Sequence, residues 1–199
     1  MAPKAGSTGV GTYRVSDGSP IEFLAARTAW VKAARPILGN VARHYNTTIT
    51  YQELAEEAQE KSGIRTGMPM RHWIGPVLYE VAQDCYHRHE PILTSLCVHS
   101  DGTIGDGFAQ AIKKTYGEEI GEHDIEYRAA QERFDCYKHC GAAMPLDGGR
   151  PTFTKQVAEQ RARAQLRKAP PPRPAVCPNC HLVLPLAGHC NNCGWVKPR

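Results

Sequence analysis

Two cysteine pairs near the end of the chain, Cys177-Pro-Asn-Cys180 and Cys190-Asn-Asn-Cys193, constrain the fold more than any other feature. A two-residue spacer lets both thiolates of a pair converge on one ion while backbone amides hydrogen-bond the sulfurs. Two such pairs supply the four tetrahedral ligands that zinc prefers. The nine residues between them, His181 to His189, make a hairpin-length insert. So short a stretch cannot be held together by apolar burial, so a bound metal is expected to supply its folding energy. Redox dithiol chemistry is the rival use of such pairs. It needs one pair rather than two, and neither pair here sits beside a strand-to-helix pattern. His181 and His189 flank the pairs and could replace a cysteine, but Cys177, Cys180, Cys190 and Cys193 already close a structural site.

The pattern resembles a zinc ribbon, assigned to residues 175–199. It is set apart by Ala169-Pro-Pro-Pro-Arg-Pro-Ala175, a semi-rigid polyproline spacer. Before the spacer, Thr154 to Lys168 has helical composition but is polar on nearly every side, a helix suited to ride on solvent or on a polyanion. Helix and spacer together occupy 149–174. Net charge sharpens this division. Residues 1–149 hold 15 Lys/Arg against 19 Asp/Glu, whereas residues 150–199 hold 9 against 1. An acidic body with a basic tail points to a polyanionic partner for the tail, most often nucleic acid.

Hydrophobic residues make up 41% of the chain, enough for a folded core. No apolar run approaches the roughly 18 residues of a spanning helix, and Met-Ala-Pro-Lys-Ala-Gly at the start offers no secretory core, so a cytoplasmic protein is expected. Reducing conditions there favour thiols and metal ligands over disulfides. Residues 1–18, rich in Gly, Ser and Thr, read as a mobile arm, and residues 19–148 as the body. Ser19-Pro20 opens a first helix, expected to break or bend at Pro36. Thr50-Tyr-Gln-Glu53 is a capping box that starts a short helix ended by Gly63. Ile74, Val77, Leu78, Val81 and Ala82 fall at helical spacing, with the regular helix starting near Gly75 after an irregular lead because of Pro76. Pro91 to Ser100 reads as a strand, turned at Asp101-Gly102 into a return strand at Thr103-Ile104. Two helices follow, Phe108–Tyr116 and Asp124–His139, the second with Tyr127, Ala130, Phe134 and Tyr137 on one face. The fold class is therefore mainly α with a short β-hairpin, an α+β body, plus a small C-terminal module built on four cysteines.

Residues 49–108 resemble the C-terminal winged-helix domain of alkylguanine-DNA alkyltransferases and alkyltransferase-like proteins. Three fragments carry the resemblance: Thr50-Tyr51-Gln-Glu-Leu-Ala, His72-Trp-Ile-Gly75, and Ser100-Asp101-Gly102-Thr-Ile-Gly105-Asp-Gly-Phe108. It implies a winged-helix-like body that binds DNA. The departures bear on chemistry. The family's nucleophilic cysteine aligns with Thr94, and Cys97 would lie on the opposite face of the same strand, so alkyl transfer is not expected. His72, preceded by Arg71, takes the place of the family's inserted arginine.

The expected function is that of a non-catalytic nucleic-acid-binding protein, with DNA preferred over RNA. Arg65, Arg71 and His72 would approach a groove and Tyr51 would sit near a phosphate, while Arg161, Arg163, Arg167 and Lys168 neutralise backbone charge. The alternative is an adaptor that docks on a larger nucleic-acid-processing machine through ribbon and tail. Cys85-Tyr-His87-Arg-His89 and Cys136-Tyr-Lys-His139-Cys140 have the residue types of a second metal site, but small core cysteines beside exposed histidines are the reading preferred.

Overall fold

The computed structural model describes residues 11–121, 124–168, 175–185 and 188–196. It divides into two compact units, 1–160 and 161–199.

The first unit is mainly helical. Its helices are α1 (Phe23–Val41), α2 (Tyr51–Ser62), α3 (Ile74–His87), α4 (Gly107–Tyr116), α5 (Ile125–His139) and the start of α6 (Lys155–Lys168). Strand β1 (Thr12–Arg14) pairs antiparallel with β3 (Ile64–Thr66), and β2 (Ile49–Thr50) pairs in parallel with β4 (Cys97–Val98). Local chemistry accounts for most boundaries. The Thr50 hydroxyl accepts from the Glu53 amide at 3.2 Å while the Glu53 carboxylate accepts from the Thr50 amide at 2.8 Å, a full capping box. Gly63, at φ 64°, ends α2 in the left-handed region. Pro76 falls in the first turn of α3, where its missing N–H leaves nothing unpaired. A 3₁₀ turn at Met70–His72 is the irregular lead before it. Pro36 does not break α1: both it and Lys32, whose carbonyl it leaves unbonded, are exposed to solvent.

Two apolar clusters hold the unit. The larger is built on Trp30, Leu38, Leu54, Trp73, Val77, Val81 and Leu96. Trp30 and Trp73 lie 4.4 Å apart, and the Trp30 indole donates to the Ile64 carbonyl at 3.1 Å. The smaller cluster packs Phe108 and Ile112 of α4 on Ile92, Val98, Ile104 and Ala129.

Four sequence expectations are corrected here. Order begins before Ser19. The assigned arm, 1–18, is strand and turn from residue 12, because Thr12–Arg14 covers the open edge of β3 and the Thr12 and Thr66 hydroxyls bond at 3.1 Å; residues 1–10 lie outside the described part. The expected strand at 91–100 is mostly a 3₁₀ turn, Leu93–Leu96, and the hairpin contracts to one antiparallel bridge, Val98 with Ile104, across the Asp101-Gly102 turn. Thr94 and Cys97 therefore do not share a strand. On α5 the buried face is Ala129, Ala130, Arg133, Cys136 and Tyr137, leaving Tyr127 exposed. Arg133 is 2% exposed and donates to the Ser95 carbonyl at 3.3 Å, so α5 is tied to that 3₁₀ turn through a guanidinium. Finally, α6 does not simply ride on solvent. Thr154 caps its start, accepting from the Val157 amide at 3.4 Å and donating to the Gly102 carbonyl at 2.8 Å, and Val157 is buried.

The second unit contains the rest of α6 and the cysteine module. In the module, bridges join Val176 to Val183 and His189 to Val196. Among its described residues, Cys177, Leu184 and Cys190 are buried, with Cys180 and Trp195 packed against them.

Candidate functional site

The cysteine module is built by two turns of the same form. The His181 amide donates to the Cys177 carbonyl and the Gly194 amide to the Cys190 carbonyl, both at 2.9 Å. His181 and Gly194 each take a positive φ, 58° and 72°. Each turn folds its two thiols to one side. The four Sγ atoms lie within 4.8 Å of one another. Cys177 and Cys193 are 3.4 Å apart, and Cys180 and Cys190 3.3 Å. A disulfide would need about 2.05 Å. A tetrahedron with metal–sulfur bonds of about 2.3 Å has edges of about 3.8 Å, inside the observed spread. The backbone amides of Cys193 and then Asn192 lower the pKa of the Cys190 thiol, while that of Cys193, which the Trp195 amide lowers, is raised on balance by the neighbouring thiols, Cys177 first, so the sulfurs titrate together rather than singly. These four cysteines could hold a metal ion. His181 and His189 are exposed and stand outside the set.

The second candidate pattern is core. Cys85 and Cys136 are fully buried, His87, His89 and His139 are exposed, and among the described residues no second cluster of metal-ligating atoms forms.

The residues expected at a groove divide. Tyr51 and Arg71 meet in one cavity of about 280 Å³, together with Thr94, His99, Asp106 and Phe108. Arg65, on β3 opposite Tyr13, and His72 are exposed but do not line it. The capping box fixes Tyr51 as the first residue of α2. Its ring stacks on His99 at 4.8 Å, and burial raises its phenol pKa, with Cys97 and Asp106 adding to the rise. The Tyr51 hydroxyl rests on Gly105, where any β-carbon would collide with it. Thr94 is 6% exposed and lines the cavity, and its hydroxyl has no hydrogen-bond partner among the described residues. Cys97 is buried outside the lining, and desolvation raises its pKa far above the ordinary thiol value. The sequence reading missed His99, Asp106 and Phe108 as wall residues; the signal was Gly105, a glycine that admits Tyr51 and His99 as close neighbours.

In the second unit Arg163 and Arg167 are exposed and Arg161 is half-buried. Lys168 is the last residue of α6, with its side chain outside the described part, as is Arg173. Comparison with family models, curated proteins and solved structures finds no match to this chain. Among the described residues, no helix is long and apolar enough to cross a membrane.

Proposed function

We propose that the chain is a non-catalytic, cytoplasmic nucleic-acid-binding protein, with DNA preferred over RNA, whose four-cysteine module holds one structural zinc. The observation that carries this reading is the basic tail: residues 150–199 hold 9 Lys/Arg against a single acid, and α6 presents exposed Arg163 and Arg167 with no apolar face of its own in the second unit. Such a helix gains little from packing and much from phosphates. In the body, exposed Arg65, Arg71 and His72 supply further donors, with Arg71 at the rim of an aromatic-walled cavity. Zinc suits four thiolates better than oxygen-seeking cations do. It would fix the fold of the module, with no open position for chemistry.

The test is the salt dependence of duplex binding by the full chain. With Arg161, Arg163, Arg167 and Lys168 replaced by Ala, the slope of log affinity against log salt should flatten by up to about 3 to 4, at about 0.9 per phosphate contact, with equal loss across sequences. An unchanged slope favours the second reading, an adaptor on a larger protein machine. Two observations support that alternative: the acidic balance of residues 1–149, and the cross-strand pair Val176 and Val183, 56% and 61% exposed.

A further inference from the structure

A second recess of the first unit, about 380 Å³, lies away from the Tyr51 cavity and takes no part in the reading above. It is lined by Tyr86, His89, Glu90, Tyr116, Glu132 and Asp135. Its aromatic walls come from two helices. The Tyr86 and Tyr116 rings meet edge to face, 5.1 Å apart at 80°. Neither hydroxyl makes a hydrogen bond among the described residues. Burial, and next the Glu132 carboxylate, push the Tyr116 phenol up to about 12, so that wall is partly dry and faces negative charge.

The carboxylates around these rings are held in place. Glu132 takes Arg128 at 3.0 Å and the Ile92 amide at 3.2 Å, Asp135 takes Lys138 at 2.7 Å, and Glu90 takes Arg35. Arg35 also serves Asp84, and Arg128 also serves Glu118, so both guanidiniums are shared between two acids. None of these three cations lines the recess, whose own charged side chains are the carboxylates, beside His89. That lining offers an anion no basic side chain from Arg or Lys. A small hard cation is disfavoured too, since among the described residues the acids here do not converge as a ligand set. What the lining favours is a diffuse positive charge held among aromatic rings and half-buried carboxylates.

We propose that this recess binds an organic cation, an alkylammonium or guanidinium head, with the Tyr86 and Tyr116 rings as walls and Glu90, Glu132 and Asp135 as counter-charge. The head arrives either on a free amine or on a lysine or arginine side chain of a partner protein.

The experiment titrates the full-length chain with choline, with n-propylguanidinium, and with 3,3-dimethylbutan-1-ol, the neutral alcohol of choline's shape, following the ring signals of Tyr86 and Tyr116 by NMR. Both cations should shift those rings, and choline should bind about two- to fivefold more tightly than its neutral twin for each ring engaged. Asp135→Asn should reduce binding of the cations and leave the alcohol unchanged. Tyr86→Leu, checked for an unaltered melting temperature, should abolish the preference for charge. A glycine-flanked peptide carrying one trimethylated lysine separates the sources: tighter binding than choline assigns a partner side chain, and equal or weaker binding a free amine. Equal affinity for choline and the alcohol, or no ring shifts with either cation, overturns the proposal. So does an Asp135→Asn chain with its preference intact. None of these readouts depends on nucleic acid, so failure here leaves the role of the basic tail standing, and the reverse.

Discussion

The two units solve the problem of staying folded in opposite ways. The first buries Trp30, Trp73 and a broad set of aliphatic side chains around them, and its α2 is capped by its own residues. The second, between 175 and 196, buries Cys177, Cys190 and Leu184, too little area to offset the ordering of its backbone. The contrast teaches that a short segment can be given shape by a few ligand atoms where a large one needs many methyl groups. It also means that the two units should fail independently and for different reasons.

Removing metal should have the largest effect. Stripping the chain with a chelator should cost the module on the order of 10 kcal/mol and collapse its dispersed NMR signals, with the melting temperature of the first unit unchanged. Cys177→Ser with Cys190→Ser should lower metal content from one ion per chain to none; retention of wild-type metal would remove the assignment. The converse is Trp30→Ala. Loss of the indole from between Phe23 and Trp73, with its bond to Ile64, should destabilise the first unit by about 3–5 kcal/mol in denaturant titration while metal content stays at the wild-type value. A coupled loss of metal would show that the units are not independent.

The smallest effect concerns the α2 cap. Thr50→Ala should cost about 1 kcal/mol. It carries a pH signature, because the Thr50 backbone amide and then its hydroxyl hold the Glu53 carboxyl below its ordinary value of 4.5. The folded pKa lies below the unfolded one, so this part of the stability is complete above the unfolded value and is lost as pH falls through the folded one. The gap between wild type and Glu53→Gln should be constant above about pH 5 and close below about pH 4. No module signal should move in either variant.

What can be read from the sequence follows from how local each signal is. The cysteine pairs, the Thr50 cap, the Gly63 stop and the start of α3 depend on neighbours a few residues away, and they stand where spacing puts them. Leu93–Leu96 is illegible because a buried apolar run has no period of its own, and tertiary packing chooses a 3₁₀ turn. Arg133 escapes for a similar reason: an arginine on a helix reads as solvent-facing until a carbonyl in the core is found to receive it. The cavity is half legible. Tyr51 and Arg71 stand out in the sequence, but Thr94, His99 and Asp106 reach it only through the parallel pairing of β2 with β4, which no short-range pattern encodes.

The contact of the Tyr51 hydroxyl with Gly105 makes two positions distant in sequence answer to each other. Alanine at 105 has no room while tyrosine stands at 51, so the pair should drift together or not at all. Trimming the ring first, as Tyr51→Leu, should make Gly105→Ala nearly silent, whereas the same alanine alone displaces the ring from the cavity wall. The penalty of one change is then a property of the other, and a double-mutant cycle should return a coupling of about 1–3 kcal/mol.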